Sequence, residues 1–404
     1  MPLYSYIYSF PYILFLLYLI LLMFLEFRCI KYNHNTGIIR LATIAGFLFF
    51  FGLRGFVFTD WLIYNPLFEE MPTLFGGNLN IITDRFSTNI ETGFRGTELG
   101  FIYFTVIFKT IIPNYFAWIF FNTLIDVLLL DIFFRHYSKY YVLSFIIFVT
   151  FGGLGLEFNL LRNVKAILLF LLSLKYLNNR QIIPYMLLNI LGCVFHASSL
   201  IFLPLYFILH KEWPKSLLWI IFIVGNILFL FHIQYLKPLL TSAGDLIGGK
   251  IMIMIRTYFE NELYNRQFGI GLGYLERTVT FCVIIYFYEL LKKQSNYNII
   301  FINSFILYFI VYFFFTEIRV AVERLSLLFV FSYWILYPNI LNLFKRLNNR
   351  IILIFTFLVY CILKLTVGNS SVFSKYDNLI FGIESFEVRQ ERVNENLEEV
   401  LKNQ

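Results

Sequence analysis

Six basic side chains sit where an apolar chain should not hold them. Arg54, Arg162, Lys165, Arg277, Arg319 and Arg324 fall inside or at the ends of long hydrophobic runs, and Asp60, Glu98, Glu276, Glu317 and Glu323 accompany them. An ionisable group within a membrane span costs about 2.5–3.5 kcal/mol on insertion scales, so each needs a partner or a task. Arg162 and Lys165, three residues apart, share one helix face, and Arg319 and Glu323 are at i, i+4 spacing. One such arginine reads as a snorkelling side chain, or as half of a lock between two helices. Five guanidiniums in one layer, with too few carboxylates to neutralise Lys165 as well, read as a cavity for an anion. The planar fork of arginine matches phosphate oxygens and stays charged when desolvated. A lipid phosphate or diphosphate is the simplest anion to reach such a place. His196 is the mid-span histidine, either a satisfied core residue or a hydrogen-bonding member of the cavity.

The elements that must position these groups follow from composition. The chain has 404 residues, 59% hydrophobic, 21% aromatic and 14% charged, with a mean hydropathy of +0.73. A soluble chain is roughly 45–50% apolar and about a quarter charged. The excess points to an all-α polytopic membrane protein and away from soluble, fibrous, disordered and disulfide-built classes. Cys29, Cys193, Cys282 and Cys361 are scattered singly, as inert thiols are. Residues 5–25 carry no charge and follow no basic leader, so they read as a span rather than a signal peptide.

Apolar runs near 5–26, 38–57, 97–112, 115–134, 139–156, 159–177, 182–209, 216–236, 270–291, 298–316, 320–340 and 350–367 predict about ten to twelve helices in a single domain over 1–367. Polar loops interrupt them at 58–96 and 237–268, and a polar tail with a short amphipathic helix follows at 368–404. The short connections are basic (Arg28, Lys31 and Arg40; Arg135 and Lys139; Lys175 and Arg180; Lys211 and Lys215; Lys292 and Lys293; Lys345, Arg346 and Arg350), which places them in the cytoplasm. The long loops and the tail then face outward, and so does the arginine layer. Strict alternation fails at 97–134 and at 182–209, which predicts one or two broken or re-entrant segments, permitted only where protein or water surrounds the backbone. The 182–209 run carries Gly192, His196, Ser198, Ser199 and Pro204. Walker loops, dinucleotide fingerprints, zinc-protease helices and paired aspartates are absent, and basic residues are not clustered with aromatics as nucleic-acid binding requires.

With these residues in order, the sequence resembles the EpsG group of Wzy-type bacterial polysaccharide polymerases. Gly52-Leu53-Arg54 followed by Thr59-Asp60-Trp61 and Tyr64 is similar to its G-L-R and G-T-D-Y stretch. Glu98 to Phe101 is similar to its E-x-G-Y/F, Asn159 to Ala166 to N-x-x-R-Q-x-I-A, and Phe195 to Leu200 with Pro204 to F-H-x-S-A-L and its proline. Arg324 stands where the late arginine does. Phe58 in place of a glycine, Asn163 in place of a glutamine, Ser199 in place of an alanine, and the long acidic tail depart from the pattern.

The resemblance implies an O-antigen-polymerase-like or GT-C-like bundle in the bacterial inner membrane with an extracytoplasmic site. It implies glycosyl transfer between undecaprenyl-diphosphate-linked oligosaccharides for capsule, exopolysaccharide or O-antigen, beside a flippase and a chain-length regulator. The diphosphate falls to Arg54, Arg162, Lys165, Arg277, Arg319 and Arg324, with no metal or other cofactor. The acceptor proton falls to Asp60 first, with Glu98 and His196 behind it. Glu276, Glu317 and Glu323 support the arginines, and Trp61, Tyr64, Tyr258 and Tyr264 face sugar rings. A lipid-linked oligosaccharide flippase is the alternative from another class; it favours charges on both halves of a path and internal repeats, and neither is visible. A membrane acyltransferase would rest on His196-Ala197-Ser198 alone, and a glycan ligase shares the donor.

Overall fold

The computed structural model describes residues 3–76, 98–247, 249, 252 and 268–403. Among them the regular elements are helices, with no strand. The seventeen α-helices among the described residues fall into two compact units, one of Met1–Thr88, Arg95–Pro204 and Tyr337–Gln404, the other built on Leu205–Leu336.

In the first unit α1 spans Phe10–Lys31, α2 Gly37–Phe47, α3 Trp61–Glu70, α4 Leu99–Ile111, α5 Tyr115–Tyr137, α6 Tyr141–Phe148, α7 Leu154–Phe158, α8 Leu161–Asn178 and α9 Ile182–Phe195. The second unit holds α10 (Lys215–Leu230), α11 (Leu236–Ile247), α12 (Leu272–Gln294), α13 (Asn298–Phe314) and α14 (Arg319–Leu327); α15 (Phe331–Leu343) runs out of it. The chain then returns to the first unit with α16 (Leu347–Gly368) and α17 (Phe386–Asn403).

Among the described residues four helical stretches are long and apolar enough to cross a membrane: Tyr6–Lys31, Tyr115–Tyr137, Tyr141–Phe158 and Leu347–Gly368. Ala321–Leu327 with Phe331–Leu343, bent by 53°, adds a fifth when taken as one broken span. Other apolar runs form shorter helices, because backbone breaks divide them. Residues 38–57 pass from α2 into a π-turn at Leu48–Gly52. The 182–209 run breaks at His196, which is extended (φ −155°, ψ 128°), and continues as a 3-10 helix at Ala197–Phe207.

The first unit is organised around α6, all of whose residues are buried. A helix apolar all round needs neighbours on every side. Its amino end still needs partners for free amides, and the Glu26 carboxylate supplies them, accepting from Tyr141 and Val142 at 2.9 and 3.0 Å. A π-turn at Val149–Gly153 then leads into α7, and Gly152 sits there at φ 89°, a conformation only glycine adopts freely. The segment after α16 straps back over the loop between α2 and α3. Asp377 O accepts from Gly55 N and Leu53 O accepts from Leu379 N, both at 2.8 Å, and Phe373 O accepts from Phe58 N at 3.0 Å.

In the second unit Gly225 lets α10 lie against Phe309, Phe313 and Phe314, so close that an added Cβ would stand 3.0 Å from two of their rings. Phe229, Tyr274 and Phe313 fill the layer beside it.

Candidate functional site

Glu98 stands at the start of α4 in an extended conformation and does not cap that helix. Its carboxylate, 8% exposed, reaches instead to two other elements. One oxygen accepts from Arg162 Nη1 at 2.6 Å in the first turn of α8, and the other from the Ala197 amide at 3.1 Å, just past the break in α9. Gly100 makes this possible: a Cβ there would lie 2.6 Å from the Val194 carbonyl, so only glycine lets α4 approach the end of α9 so closely. The Arg162 guanidinium also lies in the electrostatic neighbourhood of the Tyr64 hydroxyl. Burial pushes the Tyr64 phenol up, against the pull of the adjacent guanidinium.

The break itself is fixed by side chains. His196 Nδ1 lies 2.7 Å from Ser198 Oγ, and Ser198 Oγ donates to Asn163 Oδ1 at 2.9 Å, tying the extended residue to the turn of α8 that carries Arg162. Asn159 does the same for the loop before α3: its Oδ1 accepts from the amides of Thr59 and Asp60, both at 3.2 Å. Asp60 occupies the N-cap position of α3, half-buried, without a side-chain capping bond. It lies in the electrostatic neighbourhood of Tyr64 and so of Arg162. The structure thus gathers Asp60, Tyr64, Glu98, Arg162 and His196 in one polar region of the first unit.

Arg54 and Lys165 have other engagements. Arg54, 4% exposed, donates to the carbonyls of Phe51 and Glu157 at 2.7 and 2.6 Å and stacks over the Phe158 ring at 5.1 Å, stapling the end of α2 to α7. Lys165 pairs with Asp126 of α5, side chains 5% and 0% exposed, and donates to the Asn122 carbonyl at 3.2 Å. Glu157, fully buried, shares the electrostatic neighbourhood of Arg54, Asp126 and Lys165. Two basic and two acidic side chains thus share one buried region of the first unit. The sequence signal for this group is Asp126 in the middle of the 115–134 run and Glu157 beside Asn159. Counting charges only at the outer helix ends passes over the first.

Trp61 and Tyr64 are buried at 3% and 4% exposure, because α3 packs inward and Trp61 meets Phe56 and Phe386. They stand in core rather than open to sugar in this conformation. Tyr258 and Tyr264 lie outside the described residues.

The remaining candidates belong to the second unit. Arg277 donates to the Gly273 carbonyl at 2.6 Å and stacks 3.8 Å over the Tyr312 ring. Its neighbour Glu276 is buried. Arg319 pairs with Glu323 at 2.7 Å and lies over Phe268 at 5.4 Å. Glu317 reaches no arginine; its carboxylate takes the amides of Tyr235, Leu236 and Lys237 at 2.6–2.9 Å and so caps α11. Arg324 is exposed, with no carboxylate in ion-pair distance among the described residues.

Comparison with known proteins places these residues in a wider set. The EpsG family model matches residues 37–378, most of the chain. No curated protein and no solved structure matches it.

Proposed function

The chain belongs to the EpsG family, a Wzy-like group of polysaccharide polymerases, and on that premise we propose that it joins polyprenyl-diphosphate-linked oligosaccharide repeat units at the outer face of a bacterial inner membrane. The observation that carries this reading is the Glu98 junction. One carboxylate holds an arginine of α8 and the broken backbone of α9 together, beside Asp60, in a multi-pass helical protein.

In the reaction the bond between the anomeric carbon of the growing glycan and its diphosphate breaks, and a bond forms to a hydroxyl oxygen of the acceptor repeat. The hydroxyl proton passes to a carboxylate, and the polyprenyl diphosphate leaves with the electron pair. Arg162, whose side chain keeps 27% exposure, meets the charge developing on the departing diphosphate. A preorganised cation acting there is the largest catalytic term in reactions of this kind, and it supplies charge without a metal or other cofactor. Asp60 accepts the proton. Glu98 is a positioning residue, since both its oxygens are taken. His196, held by Ser198, orients the acceptor hydroxyl, while Arg54 and Lys165 hold the frame.

The test is reconstitution of the purified protein in vesicles with lipid-diphosphate repeat units. A ladder of lengthening chains is expected, lost in Arg162→Gln and Asp60→Asn with folding retained. Single repeats crossing the bilayer unchanged would point to a flippase, and a finished chain moved to a different lipid acceptor would point to a ligase.

A further inference from the structure

A second feature of the first unit lies at the opposite end of the spans, among the basic connections. α1 and α16 run antiparallel: Ser9 Oγ donates to the Thr366 carbonyl at 2.9 Å at one end. At the other end the last turn of α1, the first turns of α16 and the Lys139-Tyr140 turn enclose a cavity of about 790 Å³. Its walls are apolar, and Phe24, Ile351 and Phe355 remain 54%, 55% and 69% exposed. Its mouth carries Arg28, Lys31, Lys139 and Arg350.

Among the described residues none of these four cations has a carboxylate within ion-pair distance. Arg350 donates to the Tyr140 hydroxyl and Lys139 to Asn342 Oδ1 at 3.1 Å, both neutral acceptors. Glu26, whose charge reaches Tyr140, is 3% exposed and spent on the amides of α6. Basic residues of other short connections are treated differently. Arg40 and Arg135 share Asp131 at 3.0 and 3.6 Å, and Lys292 meets Glu212 and Glu289. Four unneutralised cations around one apolar-walled cavity between spanning helices are complementary to a single kind of molecule, an anion with long apolar chains.

We propose that this cavity binds an anionic phospholipid of the surrounding leaflet, its phosphate held by Arg28, Lys31, Lys139 and Arg350 and its acyl chains along Ile351 and Phe355 of α16. Basic pockets between helices suit such headgroups, and the cytoplasmic leaflet, where the charge asymmetry of the connections places this end, is the anionic one. The proposal is independent of the glycosyl-transfer reading.

The experiment is native mass spectrometry of the full chain released from vesicles of phosphatidylglycerol and phosphatidylcholine in equal parts. Wild type should retain phosphatidylglycerol in preference. A cation at the surface contributes about 1 kcal/mol, or roughly fivefold, so Arg28→Gln with Arg350→Gln should lower that preference on the order of 20-fold. Lys292→Gln with Lys293→Gln, the same charge removed elsewhere, should leave it unchanged. If the Arg28 and Arg350 pair fails to fold, exposed Lys31→Gln alone carries the test at about fivefold. Retention indifferent to headgroup, equal losses in both double variants, or displacement of the bound lipid by inorganic phosphate alone overturns the proposal.

Discussion

Replacing Lys165 with methionine separates a role in the protein frame from a role in holding the lipid diphosphate, and its outcome follows from the buried pair that Lys165 makes with Asp126. Arg54, Lys165, Asp126 and Glu157 share one buried electrostatic neighbourhood, in which Lys165 and Asp126 form the ion pair. Lys165→Met leaves Asp126 fully buried with that partner removed. Breaking a buried pair from one side costs about 3–5 kcal/mol, whereas replacing both partners by apolar groups of similar volume is close to neutral. Asp126→Leu alone should therefore also destabilise by about 3 kcal/mol, and the double variant should lie within about 1–2 kcal/mol of wild type. The coupling energy of the cycle is then about 4 kcal/mol or more, above the roughly 0.5–3 kcal/mol usual for contacting residues. Thermal unfolding of the detergent-solubilised protein, followed by tryptophan fluorescence, measures the stability arm. The rate of ladder formation by the double variant measures the other, and it should stay within a few-fold of wild type. Additive losses would refute the ion-pair reasoning. A folded double variant whose KM for the lipid-diphosphate donor rises tenfold would refute the assignment of Lys165 to the frame and return it to the diphosphate.

Other substitutions probe the remaining links. Glu98→Gln keeps the shape but removes the charge that holds Arg162, a charge-assisted bond of about 1.5–3 kcal/mol, so ladder formation should fall about 10- to 100-fold with KM less affected than kcat. Gly100→Ala forces a Cβ to within 2.6 Å of the Val194 carbonyl; a cost of about 1–3 kcal/mol and loss of polymerisation are expected, with both read on one preparation. At Phe58, held at φ 62°, Phe58→Gly should be more stable than Phe58→Ala by about 1 kcal/mol, because both lose the ring but only glycine tolerates the left-handed backbone. Partial burial pushes the Glu384 carboxyl up, but hydrogen bonds from Lys375 and Arg392 outweigh it and hold it down at about 2 against an ordinary 4.5. The folded value is the lower one, so the stabilisation is present above pH 4.5 and lost as pH falls toward 2. Solvent screening limits it to about 1 kcal/mol, and amide exchange across α17 should rise over that interval.

Much of the helical architecture is legible in the sequence because hydropathy reports burial in lipid directly. Helix breaks are legible where their residues are polar, as at His196. They are not where a π-turn passes through phenylalanines, as at Leu48–Gly52. The site is legible at Arg162, Glu98 and His196, whose types are costly in a span. Asn159, Asn163 and Ser198 are visible only as members of motifs, since an amide or hydroxyl acquires its role from the backbone or side-chain group it meets. Lys165 shows the converse. Its charge is conspicuous, but a cation in an apolar run calls first for the nearest buried carboxylate, and Asp126 is one helix away rather than one turn away.

Two of the departures from the family pattern, Phe58 and the long tail, form one arrangement at the loop before α3. Phe58 stands where the pattern has glycine and adopts the left-handed backbone that a glycine would take at no cost, φ 62°. A bulky residue held so is strained by about 1–2 kcal/mol unless its surroundings over-determine it. They do so through the other departure, the long tail. The Phe373 carbonyl receives the Phe58 amide, Asp377 receives that of Gly55, and Phe386 packs edge-on against Phe56 and Trp61 at 5.7 and 5.2 Å. The Phe58 ring in turn stacks on Phe158 at 5.2 Å, against the helix end that Arg54 staples. Flexibility that glycine supplies elsewhere is here replaced by contacts from Phe373 and Asp377, inside the matched part of the chain that ends at 378, and from Phe386 beyond it. The loop that presents Asp60 is therefore held from both sides, by Asn159 within and by the tail outside, and the tail acts as part of the frame of the site.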